Sequence, residues 1–260
     1  MWPRAGAPER NNNVRCVLSI AGSDPSGGAG IGADLKTFQA HGVYGMAVVT
    51  ALTAQNTRRV RWVQPVGPGG VSAQIRAVLE DMPVHGVKIG MLGDAAVTRA
   101  VVRALEALEV PIVLDPVLGS STGAPLNEDP SALMELAQMA TLVTPNQLEL
   151  EALPWLVELD TSVLITGGHS EGDVLVERLV GPGGDREWEH PRIDTRNLHG
   201  TGCTLSSAIA ARLALGEELE DAIDGALRWT TECIARSAGH SLGGGEGPLL
   251  HGLLAPRRPE

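Results

Sequence analysis

A doubly wound α/β domain is the fold class this sequence predicts: a mostly parallel central sheet, helices on both faces, and an antiparallel hairpin toward the C-terminal half. Three observations point there. Short aliphatic runs without polar alternation, the mark of strands covered on both faces, recur along the chain. Segments of helical periodicity separate them, and such alternation builds a parallel sheet. At 260 residues and 43% hydrophobic content, with no linker or internal repeat, the chain fits one large domain.

The predicted strands are Val17 to Ala21, Met46 to Leu52, Gly86 to Ile89, Pro111 to Leu114, Thr141 to Thr144 and Ser162 to Thr166. Between them, helices are predicted near Ile31 to Ala40, Val71 to Asp81, Ala95 to Leu108 and Ser131 to Ala140. After Thr166 the pattern changes: Val174 to Val180 and Glu187 to Ile193, split by Gly181-Pro182-Gly183-Gly184, read as a hairpin. Helices from Thr204 to Leu215 and Glu217 to Ala238 close a domain that spans residues 14–255. Residues 1–13, polar and without the apolar core of a signal peptide, read as a disordered arm. Gly243-Gly244-Gly245 and the tail after Ala255 read as surface or disordered segments.

A net charge of -11 argues against nucleic acid or an anionic membrane as partner, since both would be repelled over most of the surface. With five Trp, one Tyr and one Phe, base-stacking platforms are not expected either. No apolar run approaches the roughly 20 residues that cross a bilayer. Cys16, Cys203 and Cys233 are too scattered for a disulfide framework or a zinc site, which predicts a reducing cytoplasm.

In a sheet of this kind ligands bind beyond the carboxyl ends of the strands, so the loops that follow strands carry the functional reading. The stretch His199-Gly200-Thr201-Gly202-Cys203-Thr204 opens into a run with Leu205, Ile209 and Leu213 at helical spacing. Free amides at the start of that helix make an anion cradle, and Cys203 at its mouth is predicted to have a depressed thiol pKa. The alternative is a tight loop with a small buried thiol.

After the first strand comes Gly22-Ser23-Asp24-Pro25-Ser26-Gly27-Gly28-Ala29-Gly30. Gly28, Gly30 and Ala33 satisfy the dinucleotide spacing, but the next strand ends in Thr53-Ala54-Gln55-Asn56-Thr57 without the acidic residue that would hold ribose. Asp34 is read on the first turn of the following helix, either as a complement to its dipole or as a ligand group. Gln55 offers both a donor and an acceptor, which suits an aminopyrimidine edge; otherwise it is a surface amide. Asp115, at a strand end, is a candidate magnesium ligand or a turn carboxylate. Asn146 and Glu149 share one face of a helix's first turn, a spacing that also serves capping. His41, His85, His190 and His199 have no metal spacing and read as surface or structural.

Taken together, Ala21 to Ile31, Ala33 to Phe38, Thr50 to Thr57, Lys88 to Leu92, Asp115-Pro116-Val117, Thr144-Pro145-Asn146 and His199 to Leu205 resemble the hydroxymethylpyrimidine/phosphomethylpyrimidine kinases of thiamine biosynthesis, within the ribokinase-like superfamily. The resemblance runs from about Val14 to His251 with the motifs in family order. It implies an ATP- and magnesium-dependent enzyme that phosphorylates 4-amino-5-hydroxymethyl-2-methylpyrimidine and then its monophosphate, and a homodimer. By position, Asp34 and Gln55 match the pyrimidine-recognising residues, with Gly22, Met91 and Val117 lining the pocket. Asn146, Thr166, Gly168 and Thr201 fall at ATP and phosphate positions, and Asp115 and Glu149 at the metal. Gly200, Thr201, Gly202 and Cys203 match the catalytic anion hole.

The sequence departs from that pattern at three places. Thr166 stands before Gly167-Gly168-His169 where most relatives carry lysine, and the loop Leu118 to Gly123 lacks the usual second lysine. Both changes predict weakened phosphoryl transfer, because cations beside transferring phosphates stabilise the transition state. The segment between Asn146 and Thr166 is also short, which predicts a more open nucleotide side. Three other readings remain: a pyridoxal kinase of the same architecture, although its second lid cysteine is replaced by Ser120 and Ser121; a non-catalytic pyrimidine-binding protein; and an NAD-dependent oxidoreductase.

Overall fold

The computed structural model describes residues 14–118, 130–168 and 172–254. The N-terminal arm, Ser120, Ser121, the loop beyond Leu118, His169 and the tail after Ala255 lie outside the described residues. Among the described residues no helix is long and apolar enough to cross a membrane.

Strand β1 (Cys16–Ala21) leads through helix α1 (Gly30–Ala40) to β2 (Tyr44–Val49). The predicted strand from Met46 to Leu52 is in fact split. At Thr50 the chain bends, with Thr50 N bonded to Ala21 O at 3.0 Å and Thr50 Oγ1 donating to Met91 O at 2.6 Å. It then leaves the main sheet as a ribbon of β3 (Ala51–Asn56) and β4 (Arg59–Pro65), which pair with each other alone. Sequence periodicity did not reveal this ribbon, because β2 and β3 are fused into one aliphatic run.

Helix α2 (Pro68–Leu79), β5 (Gly86–Ile89), α3 (Ala95–Leu105), β6 (Ile112–Leu114), α4 (Pro130–Met139) and β7 (Leu142–Val143) follow as predicted alternations. A six-residue α5 (Gln147–Ala152) and a 3₁₀ turn (Pro154–Glu158) lead into β8 (Ser162–Ile165). The hairpin β9 (Val174–Val180) and β10 (Arg186–Pro191) precedes α6 (Thr201–Ala214) and α7 (Leu219–Ser237).

The eight-stranded sheet has the order β10-β9-β8-β7-β6-β5-β1-β2. It is parallel from β2 to β8, and the hairpin adds two antiparallel strands. From β1 the chain moves outward to β2, then returns to build β5 and everything beyond it on the other side. The switch point therefore lies between β1 and β5, and it opens a crevice at their carboxyl ends.

One core cluster joins α2, α3 and α4 to one sheet face, and a second joins α1, α6 and α7 to the other. Helix α6 is buried along almost its whole length and carries Ala208, Ala210, Ala211 and Ala214. These small side chains let it lie close on the sheet: a Cβ at Gly86 of β5 would stand 3.1 Å from Ala214 Cβ. Close seating of α6 brings its N-terminus to the strand ends.

Candidate active site

Strand alternation decides which polar side chains meet beneath α1 and α6. On β1, β5 and β6, Leu18 and Ile20, Val87 and Ile89, and Ile112 and Leu114 all enter the cluster on the α2–α4 side. Alternate positions therefore face α6. Toward the carboxyl ends those positions hold Ser19, Lys88 and Asp115, each buried. Ser19 and Lys88 are register partners.

Lys88 has no solvent exposure, and its Nζ lies 3.1 Å from Asp34 Oδ1 and 3.7 Å from Asp115 Oδ2. Asp34 also accepts hydrogen bonds from Ser19 Oγ at 2.6 Å and Ser207 Oγ at 2.8 Å. Burial disfavours the ammonium, but the Asp34 charge and then Cys203 and Asp115 hold the Lys88 pKa above the ordinary lysine value. The structure thus corrects the reading of Asp34. Helix α1 begins at Gly30, so Asp34 sits on its second turn, fully buried, with both oxygens occupied by protein donors. It meets the site through Lys88.

Cys203 is half-buried at the head of α6. The Asp115 carboxylate lies beside its thiol, and the Gly30 amide approaches its sulfur. The predicted depression of its pKa is reversed. Burial, reinforced by Asp115 and Asp34, outweighs Lys88 and the Gly30 amide and pushes the thiol up to about 12. At neutral pH this group is a thiol.

Gly200 is the N-cap of α6 with φ +82°, and no side chain caps the helix. A Cβ at Gly200 would stand 1.9 Å from Gly28 O, so glycine is required where the two loops meet backbone to backbone. Gly202 is exposed with open space above its Cα. Of the first-turn amides, Thr201 N donates to Leu198 O at 3.2 Å, and those of Gly202 and Cys203 have no helical acceptor and can meet a ligand. The Thr201 hydroxyl, by contrast, donates to Leu198 O at 2.8 Å and fixes the turn.

Asp24 ties the glycine-rich loop to this turn. Its side chain accepts from Ser26 N at 2.8 Å and Ala29 N at 2.9 Å, and Oδ2 lies 2.8 Å from His199 Nε2. Burial alone would raise its pKa; the bonds from His199 and Ser26 override that and hold it at about 2. Of the two readings of His199, surface or structural, the contact with Asp24 supports the structural one. Gln55, carried by β3, reaches the same ring at 3.4 Å.

At the switch point, Gly22 follows β1, and a Cβ there would stand 2.4 Å from Met91 Cε. Gly22 and Met91 are thus in contact, while Val117 is half-buried after β6. Asn146 and Glu149 form a reciprocal capping box: Asn146 Oδ1 accepts from Glu149 N, and Glu149 Oε2 accepts from Asn146 N, each at 2.9 Å. Burial and then the Asp115 charge raise the Glu149 pKa to about 7, against the amides of Asn146 and Leu118. Thr166 pairs with Asn146 in an isolated parallel bridge, and Gly168 is exposed beyond it.

Two carboxylates that raise the cost of each other's charge suit a divalent cation that takes its remaining ligands from phosphate oxygens and water. Among the described residues no group of three His, Cys, Asp or Glu side chains would hold a metal by itself. The donor set fits magnesium brought in with a nucleotide.

Lys88, Asp24 and His199 were not assigned roles from sequence. Their signals were a lone lysine inside an aliphatic strand and an Asp-Pro-Ser-Gly turn in the glycine-rich loop. For His199 only its place before Gly200 could have pointed to a role.

The chain matches the family profile described as phosphomethylpyrimidine kinase over residues 24–159 and 155–250. It is 42% identical over 258 residues to the hydroxymethylpyrimidine/phosphomethylpyrimidine kinase of Streptomyces coelicolor, covering 91% of this chain and 94% of that one. It is 38% identical to the thiamine biosynthesis multifunctional protein ThiED of Corynebacterium efficiens, covering 93% of this chain but only 36% of that much longer protein. Among solved structures it is similar to the phosphomethylpyrimidine kinase of Clostridium difficile 630, with a TM-score of 0.71 and 38% identity over 84% of this chain and 99% of that one. It is also similar to Bacillus subtilis pyridoxal kinase in an ADP complex, with a TM-score of 0.80 and 30% identity over 92% and 97%.

Proposed function

Because the chain belongs to the phosphomethylpyrimidine kinase family, we propose that it transfers the γ-phosphoryl group of ATP to 4-amino-5-hydroxymethyl-2-methylpyrimidine, and a second one to the monophosphate so formed, in thiamine biosynthesis. The observation that carries this reading beyond family membership is the convergence of Cys203, Asp115 and the uncapped start of α6. A hydroxyl, a metal-bound phosphate and an oxyanion are handled there at one place.

Gly22, Met91, Val117 and Gln55 hold the ring beside the switch point, and the amides of Gly202 and Cys203 meet the transferring group. Asp115 and Glu149 would hold magnesium, with Asn146, Thr166 and Gly168 along the ATP phosphates. Bound magnesium would offset phosphate charge and align the nucleotide. Cys203, protonated at neutral pH, orients the substrate hydroxyl and relays its proton, taking it as the thiol's own proton moves to the neighbouring Asp115. Lys88 pairs with Asp34 and lies beside Asp115, which holds the two carboxylates in place.

Product analysis with purified protein, ATP, magnesium and each pyrimidine tests the proposal. Monophosphate and diphosphate products are expected, and their absence with a folded protein sinks it. Similarity to a pyridoxal kinase favours pyridoxal as the second reading, so pyridoxal belongs in the same assay. We further propose a cytoplasmic homodimer, its dimer contact supported by Leu52 and Trp62 exposed on the β3–β4 ribbon. Sedimentation gives the mass.

A further inference from the structure

We propose that Asp24 and His199 set the amide orientation of Gln55, so that Gln55 presents a hydrogen-bond donor to the substrate and selects a ring nitrogen with a free lone pair. The proposal rests on the pyrimidine-kinase reading and adds how the ring is recognised.

The chain of contacts begins at a carboxylate with no proton to give. Asp24, 6% exposed, accepts from Ser26 N, Ser26 Oγ and Ala29 N, and His199 Nε2 stands 2.8 Å from its Oδ2. A ring nitrogen that close to a carboxylate oxygen must carry hydrogen, since two lone pairs would otherwise face each other. Both the neutral Nε2–H tautomer and the doubly protonated ring satisfy this, so the conclusion does not depend on the charge of His199.

The same Nε2 lies 3.4 Å from the terminal Gln55 atom placed as nitrogen. Two donors would then oppose each other. Amide oxygen and nitrogen are nearly indistinguishable in shape, and the hydrogen-bond network decides between them. Turned by half a rotation, Gln55 Oε1 takes a bifurcated share of the single Nε2–H, whose nearer acceptor is Asp24 Oδ2. The Gln55 amino group is left on the side away from His199, free to donate.

His199 is itself held. Its amide donates to Gly247 O at 3.1 Å, and a Cβ at Gly28 would stand 2.5 Å from its Cδ2, so the ring packs directly on the glycine-rich loop. Gln55 arrives from β3, outside the main sheet. The ribbon therefore docks on the turn before α6 through the same amide, one end of which meets His199 while the other is left for the ring.

An aminopyrimidine offers a lone pair at the ring nitrogen beside its amino group, whereas the oxo counterpart carries N–H there. Kinetics at mildly alkaline pH, where the aminopyrimidine is neutral, compare both with wild type and Gln55→Glu. The carboxylate still accepts from His199, so the melting temperature should hold, but it presents an acceptor to the ring. The wild-type preference for the amino compound in kcat/KM should fall by about tenfold or more, as expected for one exchanged hydrogen bond. A preference equal to that of wild type would overturn the proposal.

A double-mutant cycle checks His199 as a positioning residue. His199→Phe should raise KM for the pyrimidine more than KM for ATP, and should raise it no further in a Gln55→Ala background. Effects that multiply would count against the relay. A wild-type protein that phosphorylates neither pyrimidine defeats the kinase reading instead. Nitrogen NMR then decides the orientation alone: a protonated His199 Nε2 supports it, and an unprotonated one ends it.

Discussion

Lys88 and Asp34 form an ion pair with no solvent exposure on either side chain, Nζ to Oδ1 3.1 Å, and Asp115 and Cys203 stand beside it. Two carboxylates and one ammonium so buried are tolerable only together, since each alone would be an uncompensated charge.

Removing the ammonium by Lys88→Met is expected to cost about 3–5 kcal/mol, the range for breaking a buried pair from one side. Adding Asp34→Asn should recover much of that. Urea unfolding of the two variants gives the comparison, and a single variant as stable as wild type would show that the pair is not needed.

Cys203→Ser should fold as wild type while turnover falls about 100-fold or more, within the range for losing a positioned proton-transfer group. With its thiol pushed up to about 12, Cys203 should react slowly with iodoacetamide at neutral pH and faster as pH rises. Rapid modification at neutral pH would mean a thiolate.

Acid stability should report Asp24. Its folded pKa, held at about 2, lies below the ordinary aspartate value of 3.8, so folding favours the ionised form. The resulting stabilisation is fully present above about 4 and is lost as pH falls through about 2; a shift of this size corresponds to about 2 kcal/mol. In Asp24→Asn that slope should flatten. An unchanged acid limb of the stability curve would remove Asp24 as its source.

Thr166→Lys should raise turnover. Thr166 bridges to Asn146 at the end of β8, with exposed Gly168 just beyond it. A cation beside transferring phosphates contributes several kcal/mol to the transition state where it makes contact, so a rise of about tenfold or more in kcat is a modest expectation. No rise would mean that another group already supplies this charge.

Periodicity carried the fold because aliphatic runs must be covered on both faces. The strands from Val17, Gly86, Pro111 and Ser162 appear where they read, with ends shifted by a residue or so. The β3–β4 ribbon escaped because a bend at Thr50 leaves no break in hydrophobicity. The Asn146-to-Glu149 spacing was legible as capping, which the reciprocal bonds show it to be.

By itself the sequence determined the alternation of strands and helices, the glycine loops at the strand ends and the motifs that mark the family. These follow from local rules: which faces are covered, and where a backbone needs a residue without a side chain. Only the tertiary structure decided that Asp34 is interior, that Cys203 is a thiol, and that Asp24, His199 and Gln55 meet. Those outcomes depend on burial and on charges brought together from distant strands, and a pKa or an amide orientation is set by neighbours in space that no local pattern encodes.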